Sequence, residues 1–273
     1  MKVTKRIKRA LLRIGVVVVA VFTIIPFVWV ISASLRTSNV ITGGIVPNHP
    51  SLANYTYVLT NSSLPANFVN SLVACGFATL LNIPVATLAA FAFSRLHFLG
   101  KRHLYLSVLI TQLLPGAAIV IPLYQLWATV GFFNSRFALG LAYAGITMAV
   151  GILLLRGFFD TIPRDLDEAA AIDGCNLLQT FYLILLPLAK PAIIATAIYT
   201  FLTTWQDFLF SSSLMNDPSQ FTLTVGLYSF IGAYATNWGA IMAGAVITAA
   251  PIVIIFALLQ KYFVQTVVGS VKG

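Results

Sequence analysis

Long apolar stretches alternate with short polar ones along the whole chain. Crossing a hydrocarbon layer of ~30 Å takes ~20 mostly apolar residues wound as helix. Six stretches come to that length, at 14–34, 69–94, 104–127, 137–158, 191–213 and 240–260. Runs such as GVVVVAVFTIIPFVWVI at 15–31 are apolar on every side, whereas strands of a membrane barrel alternate over ~10-residue segments. The pattern predicts an all-α, polytopic membrane protein with six transmembrane helices. Composition agrees, since 59% hydrophobic and 8% charged residues leave too few charges to cover a soluble core.

Charge sets the expected orientation. With the N-terminus inside, fourteen of the 16 Lys and Arg fall on the cytoplasmic side and only Arg36 and Arg136 fall outside, as the positive-inside rule requires. That asymmetry explains the net charge of +9 without a nucleic-acid partner, and lets the basic N-terminus touch anionic lipid. The chain then divides into a basic cytoplasmic N-terminus at 1–13, a first span with its external loop at 14–68, a five-helix core at 69–263 and a cytoplasmic tail at 264–273. The core carries a long cytoplasmic loop at 159–190. The start of the chain looks like a signal peptide, but its apolar run continues through Trp29 without a small-residue cleavage site, so it is expected to stay attached.

The loop holds the least membrane-like segment, EAAAIDGCNLLQTFYLILLP at 168–187. Asp165 to Asp173 reads as a short helix with acids in its first turns, and Gly174 supplies a residue that tolerates the left-handed conformation that ends it. Asn176 and Gln179 have the spacing of a capping box. They open a second helix with Leu177, Leu178, Phe181, Tyr182 and Leu185 at helical spacing. Between Asp165 and Ala189 stand four carboxylates and no Lys or Arg, a surface that repels phosphate. A protein is the expected partner.

E-A-A, three residues, G, nine residues and I-x-L-P, filled by Glu168, Ala169, Ala170, Gly174, Ile184, Leu186 and Pro187, resembles the signature loop of the membrane subunits of binding-protein-dependent ABC importers. AAFAFSRLHFLGKR at 89–102, LLPGAAIVIPLYQLW at 113–127, FLTTWQDFLF at 201–210 and the ending VGSVKG at 268–273 resemble its carbohydrate-uptake branch, in particular the six-span maltose or glycerol-phosphate type. The resemblance implies a type I importer permease fold in a prokaryotic cytoplasmic membrane. It also implies three partners: a cytoplasmic ABC ATPase dimer, a second permease that is a distinct paralogue, and an extracytoplasmic solute-binding protein that delivers a sugar. It further implies that Glu168, Ala169, Ala170, Ile172, Asp173, Gly174 and Leu177 couple to the ATPase, with Glu168 facing a basic residue and the two alanines allowing close approach. Gly269, Lys272 and Gly273 in the tail are expected along the ATPase interface.

No G-x-x-x-x-G-K-[ST] occurs in the chain, so ATP hydrolysis must come from another subunit. No catalytic triad or metal-spaced cluster is evident, and neither enzyme activity nor a cofactor is expected. Polar groups inside spans are costly. Gln112, Tyr124, Thr204, Trp205, Gln206 and Asp207 are the candidates for a substrate pathway, and helix-to-helix packing is the competing role for each. Two alternatives stay open at this point: an importer for a non-sugar solute such as a polyol or phosphorylated glycerol, and a stand-alone secondary transporter.

Overall fold

The computed structural model describes residues 2–37, 46–47, 49–232 and 236–269, and among them every regular element is helical. In chain order these are α1 (Lys2–Ser34), α2 (Ala53–Thr60), α3 (Leu64–Arg95), α4 (Lys101–Ile110), α5 (Gly116–Val130), α6 (Arg136–Thr161) and α7 (Asp165–Ile172). There follow α8 (Leu177–Thr180), α9 (Leu186–Leu188), α10 (Lys190–Trp205), α11 (Leu209–Leu214), α12 (Leu223–Tyr228) and α13 (Trp238–Gly269). Leu11–Ser34, Leu64–Arg95, Arg136–Thr161 and Trp238–Leu258 are each long and apolar enough to cross a bilayer. Two further spans arise if each of two bent helix pairs is counted as one.

The bent pairs are where the predicted span pattern needs revision. The stretch at 104–127 is not one rod: α4 ends in a tight turn at Thr111–Leu113, Leu114 is extended, and α5 leaves at 100° to α4. Pro115 explains the break, because the residue before a proline is pushed out of the helical region; Pro115 itself then stands as the N-cap of α5. The stretch at 191–213 likewise stops at Trp205, and α10 meets the Leu177–Leu188 segment at 71°. The last helix runs on to Gly269, so the boundary expected at 264 lies inside a helix. Gly269 closes α13, while Lys272 and Gly273 lie outside the described residues.

The chain divides into two compact units, Met1–Pro65 with Leu227–Ala250, and Ala66–Gly226 with Pro251–Gly273. In the first unit, Asn54 ties α2 to the end of α1 by donating from Nδ2 to the Ser34 carbonyl at 2.9 Å and the Arg36 carbonyl at 2.7 Å. The second unit is built on α3, α6 and α10. Asn82 and Thr147 face each other fully buried, with the Asn82 amide donating to the Thr147 hydroxyl at 2.8 Å. A buried amide N–H in hydrocarbon is stable only when paired in this way.

Close approach of α3 and α6 is made possible by small residues. A Cβ placed on Gly140 would lie 2.8 Å from the Ala74 carbonyl oxygen, a backbone atom with no room to yield. Gly140→Ala is therefore expected to cost about 1–3 kcal/mol by overpacking, read as a lower midpoint of thermal unfolding in detergent. An unchanged midpoint would show that the two helices are not held at this spacing.

Candidate functional site

The segment between α6 and α10 is locally encoded. Asp165, Asp167 and Glu168 occupy the first turn of α7, where the helix dipole favours negative charge. The helix ends in a Schellman motif: Cys175 N–H donates to the Ala170 carbonyl at 2.9 Å and Gly174 N–H to the Ala171 carbonyl at 3.1 Å. Gly174 sits at φ +83°, a conformation that glycine adopts without a Cβ penalty. Asn176 and Gln179 then form the full capping box, with bonds of 2.9 Å and 2.8 Å. Past α8 the chain winds with π spacing over Phe181–Leu185, just ahead of Pro187, which has no N–H to donate.

Two kinds of contact fasten this loop to the rest of the second unit. Phe181, Leu185 and Ala189 are buried in one cluster with Phe91 and Phe93 of α3 and Leu155 and Phe159 of α6. The rings of Phe91 and Phe181 lie 4.7 Å apart. The other fastening is polar and centres on Arg95, the last residue of α3. Its Nη2 donates to the Ile162 carbonyl at 2.8 Å, and its Nε lies 2.8 Å from Asp167 Oδ2. The latter is a contact between charges rather than an aligned hydrogen bond, because the Nε–H has no acceptor in line. Ser94 donates to Asp160 at 2.6 Å, and Arg164 reaches the Ser94 carbonyl at 3.4 Å. One end of α3 thus holds the C-cap of α6 and the first turn of α7 together.

The coupling residues expected from sequence separate into two groups. Glu168, Ala169, Ile172, Asp173, Gly174 and Leu177 are exposed, Ile172 at 87% and Leu177 at 51%. Ala170 is only 2% exposed, so it faces inward, because the helical repeat that turns Ala169 outward turns Ala170 in. Beneath the exposed face lies a cavity of about 320 Å³ whose lining includes Arg95, Arg164, Asp167, Glu168 and Leu177. Asp167 and Arg164 carry no coupling role in the sequence reading, and Arg95 served there only as a marker of orientation.

The six pathway candidates do not converge. Gln112 lines a cavity of about 470 Å³ at the α4–α5 break, together with Thr111, Gly116, Trp127, Gly145 and Phe210, and donates to the Ile146 carbonyl at 3.1 Å. Tyr124 is half exposed, with its ring against Phe133. Thr204 and Trp205 are each 2% exposed. Thr204 returns its hydroxyl to the Thr200 carbonyl, and Trp205 packs between Phe68 and Phe201. Gln206 bonds back to the Leu202 carbonyl of its own helix. Asp207 is fully occupied, accepting from the Tyr143 hydroxyl at 2.9 Å and from the Phe210 and Ser211 N–H groups at 3.1 Å, so that it starts α11. Packing and capping explain Thr204, Trp205 and Asp207; Gln112 alone lines this cavity.

The segment after α11 is held in a fixed shape. Asn134, at φ +57°, accepts from the Asp217 N–H at 3.1 Å and from the Asn216 N–H. Asn70 donates to the Ser219 and Phe221 carbonyls and accepts from Arg136 at 3.0 Å. The Ser219 N–H and hydroxyl hold the exposed Asp217 carboxyl below the ordinary carboxylate range.

Residues 82–269 match the family model described as the inner membrane component of binding-protein-dependent transport systems. The chain belongs to this family, the permeases of ABC importers, and as such is a multi-pass membrane protein without catalysis of its own. It is 34% identical over 272 residues to the trehalose/maltose transport system permease of Thermococcus litoralis, with 98% of each chain covered. It is 32% identical over 279 residues to the galactooligosaccharides transport system permease of Bacillus subtilis, covering 100% of this chain and 99% of the relative. In structure it is similar to a chain of a bacterial ABC transporter that imports alginate, with TM-score 0.82, 21% identity and coverage of 95% and 98%. Family membership displaces the stand-alone transporter reading, and such a system includes an ATPase, a partner permease and a binding protein.

Removing one partner of the Arg95–Asp167 pair leaves the other charge underpaired. A buried pair broken this way costs ~3–5 kcal/mol, but Asp167 is 27% exposed, which lowers the expected cost of Asp167→Ala to about 1–3 kcal/mol. The loss should be local: amide hydrogen exchange over 165–175 should accelerate in Asp167→Ala while exchange in α10 is unchanged. Equal exchange in the variant and the wild type would show that Arg95 does not fasten the loop.

Proposed function

We propose that this chain forms half of the translocation pathway of an ATP-driven sugar importer and takes its power stroke through the 165–187 loop. The observation that carries the reading is the pairing of an exposed apolar and acidic face, with Ile172, Leu177 and Glu168, with a base fastened into α3 and α6. A face of this kind suits a protein cleft, and its rigid mount lets movement at the cleft reach the membrane helices. In this reading the loop and both termini are cytoplasmic, as the distribution of Lys and Arg requires. The tail beyond Gly269, with Lys272 and Gly273, runs along the ATPase dimer.

Sugar is the substrate class that the relatives' names support, since two full-length relatives are named for trehalose, maltose and galactooligosaccharides. The second permease is taken to be a distinct paralogue. The cavity at the α4–α5 break is the candidate surface for the pathway, because broken helices at membrane depth are tolerated where they line a cavity. The segment at 216–220, pinned by Asn134 and Asn70, is the candidate contact for the binding protein.

Glu168→Lys reverses the charge on the docking face without touching the Arg95 fastening. Uptake of labelled sugar by cells should fall on the order of 30-fold or more, as expected when a charge at an interface is reversed, while the amount of chain in the membrane stays the same. Wild-type uptake would remove the loop from the coupling role. Replacing residues 216–220 with a Gly-Ser stretch should abolish binding-protein-stimulated transport and leave basal ATPase activity intact; unaltered transport would rule out that contact.

A further inference from the structure

A second feature of the described chain has no part in coupling or in the pathway. Lys101, Arg102, Tyr105 and Leu106 on the first turns of α4, with Arg156 on α6, enclose a pocket of about 440 Å³. The arrangement is costly as it stands. Two cations occupy the first turn of a helix whose first turn has no acid, where the dipole already presents positive charge. Lys101 relieves part of this by donating to the Leu96 carbonyl at 2.8 Å. Arg102 is exposed and has no partner among the described residues.

Arg156 adds a third cation from the facing helix. Its guanidinium carbon lies 3.9 Å from the centroid of the Tyr105 ring, which fixes its plane. Its only acidic neighbour among the described residues is Asp160, 3.4 Å from Nε, and that carboxylate is shared with Ser94. Its Nη groups have no hydrogen-bond partner among the described residues. Three positive charges against one negative therefore meet at a pocket with an aromatic and an aliphatic wall.

The position decides the kind of anion. Lys101 and Arg102 begin α4 just before the apolar stretch, and Arg156 lies in the last turns of the Arg136–Thr161 span. The ends of membrane-crossing helices meet the lipid headgroup layer, and basic pockets between helices there suit phosphate headgroups. We propose that this pocket is a binding site for an anionic phospholipid, with the headgroup phosphate between Arg102 and Arg156 and the glycerol end against Tyr105 and Leu106. The site goes beyond the transport reading and does not depend on it.

The test is lipid retention by the assembled transporter, purified in mild detergent and analysed by native mass spectrometry after exposure to mixed phosphatidylglycerol and phosphatidylcholine. Wild type should keep phosphatidylglycerol in preference to phosphatidylcholine. Lys101→Gln with Arg102→Gln should reduce that retention roughly 10- to 30-fold, the weight of two cations at a membrane surface. Arg102→Gln alone, at an exposed residue, secures the result should the double variant assemble poorly. Arg13→Gln, a basic residue of α1 outside the pocket, should retain phosphatidylglycerol like wild type. Undiminished retention in both pocket variants, or equal loss in Arg13→Gln, would overturn the site. Displacement by inorganic phosphate as effective as displacement by added phosphatidylglycerol would make it a phosphate site and overturn the lipid assignment.

Discussion

A buried cation at the end of a membrane helix organises the working half of this molecule. The Arg95 side chain is 6% exposed, and a charge so placed must be compensated where it stands. Its compensation comes from the Ile162 carbonyl and the Asp167 carboxylate, which belong to the two segments that a transporter would need to join. Moving α7 without moving α3 and α6 would strip that charge of its partners. The aromatic cluster of Phe91, Phe159 and Phe181 supplies the apolar half of the same junction. The exposed face at Glu168 and Ile172 is thus mechanically continuous with α3 and α6.

Polar groups at membrane depth answer mostly to helix packing. Asn82 donates to Thr147, Tyr143 donates to Asp207, and Ser211 shares a hydrogen bond with Thr222, the first two joining segments more than 60 residues apart. In lipid such pairs stabilise because an unpaired group has no water to turn to. A pathway must then be sought where backbone regularity fails, and the α4–α5 break with Gln112 on its cavity is such a place. Its lining is chiefly apolar.

Legibility in the sequence followed the range of the interactions. The Gly174 turn and the Asn176–Gln179 box involve residues within five of each other, so their spacing alone announces them. The four unbroken spans were equally plain from apolar length. The 100° break at Pro115 was marked by its own proline, yet apolar length argued for one continuous span at 104–127. The buried face of Ala170, the role of Arg95 and the Tyr143 partner of Asp207 were hidden, because each depends on a residue brought in by tertiary packing. Arg95 stood in the sequence as one more positive charge beside a span, which is the look of a topology signal.

Whether the 165–187 loop carries an ATPase is tested most directly by tagging this chain, solubilising it gently from its own membrane and identifying by mass spectrometry what remains bound. The docking reading predicts recovery of an ATPase with a phosphate-binding G-x-x-x-x-G-K-[ST] loop, together with a second permease. Recovery of the chain by itself, stable and able to transport when reconstituted, would contradict it.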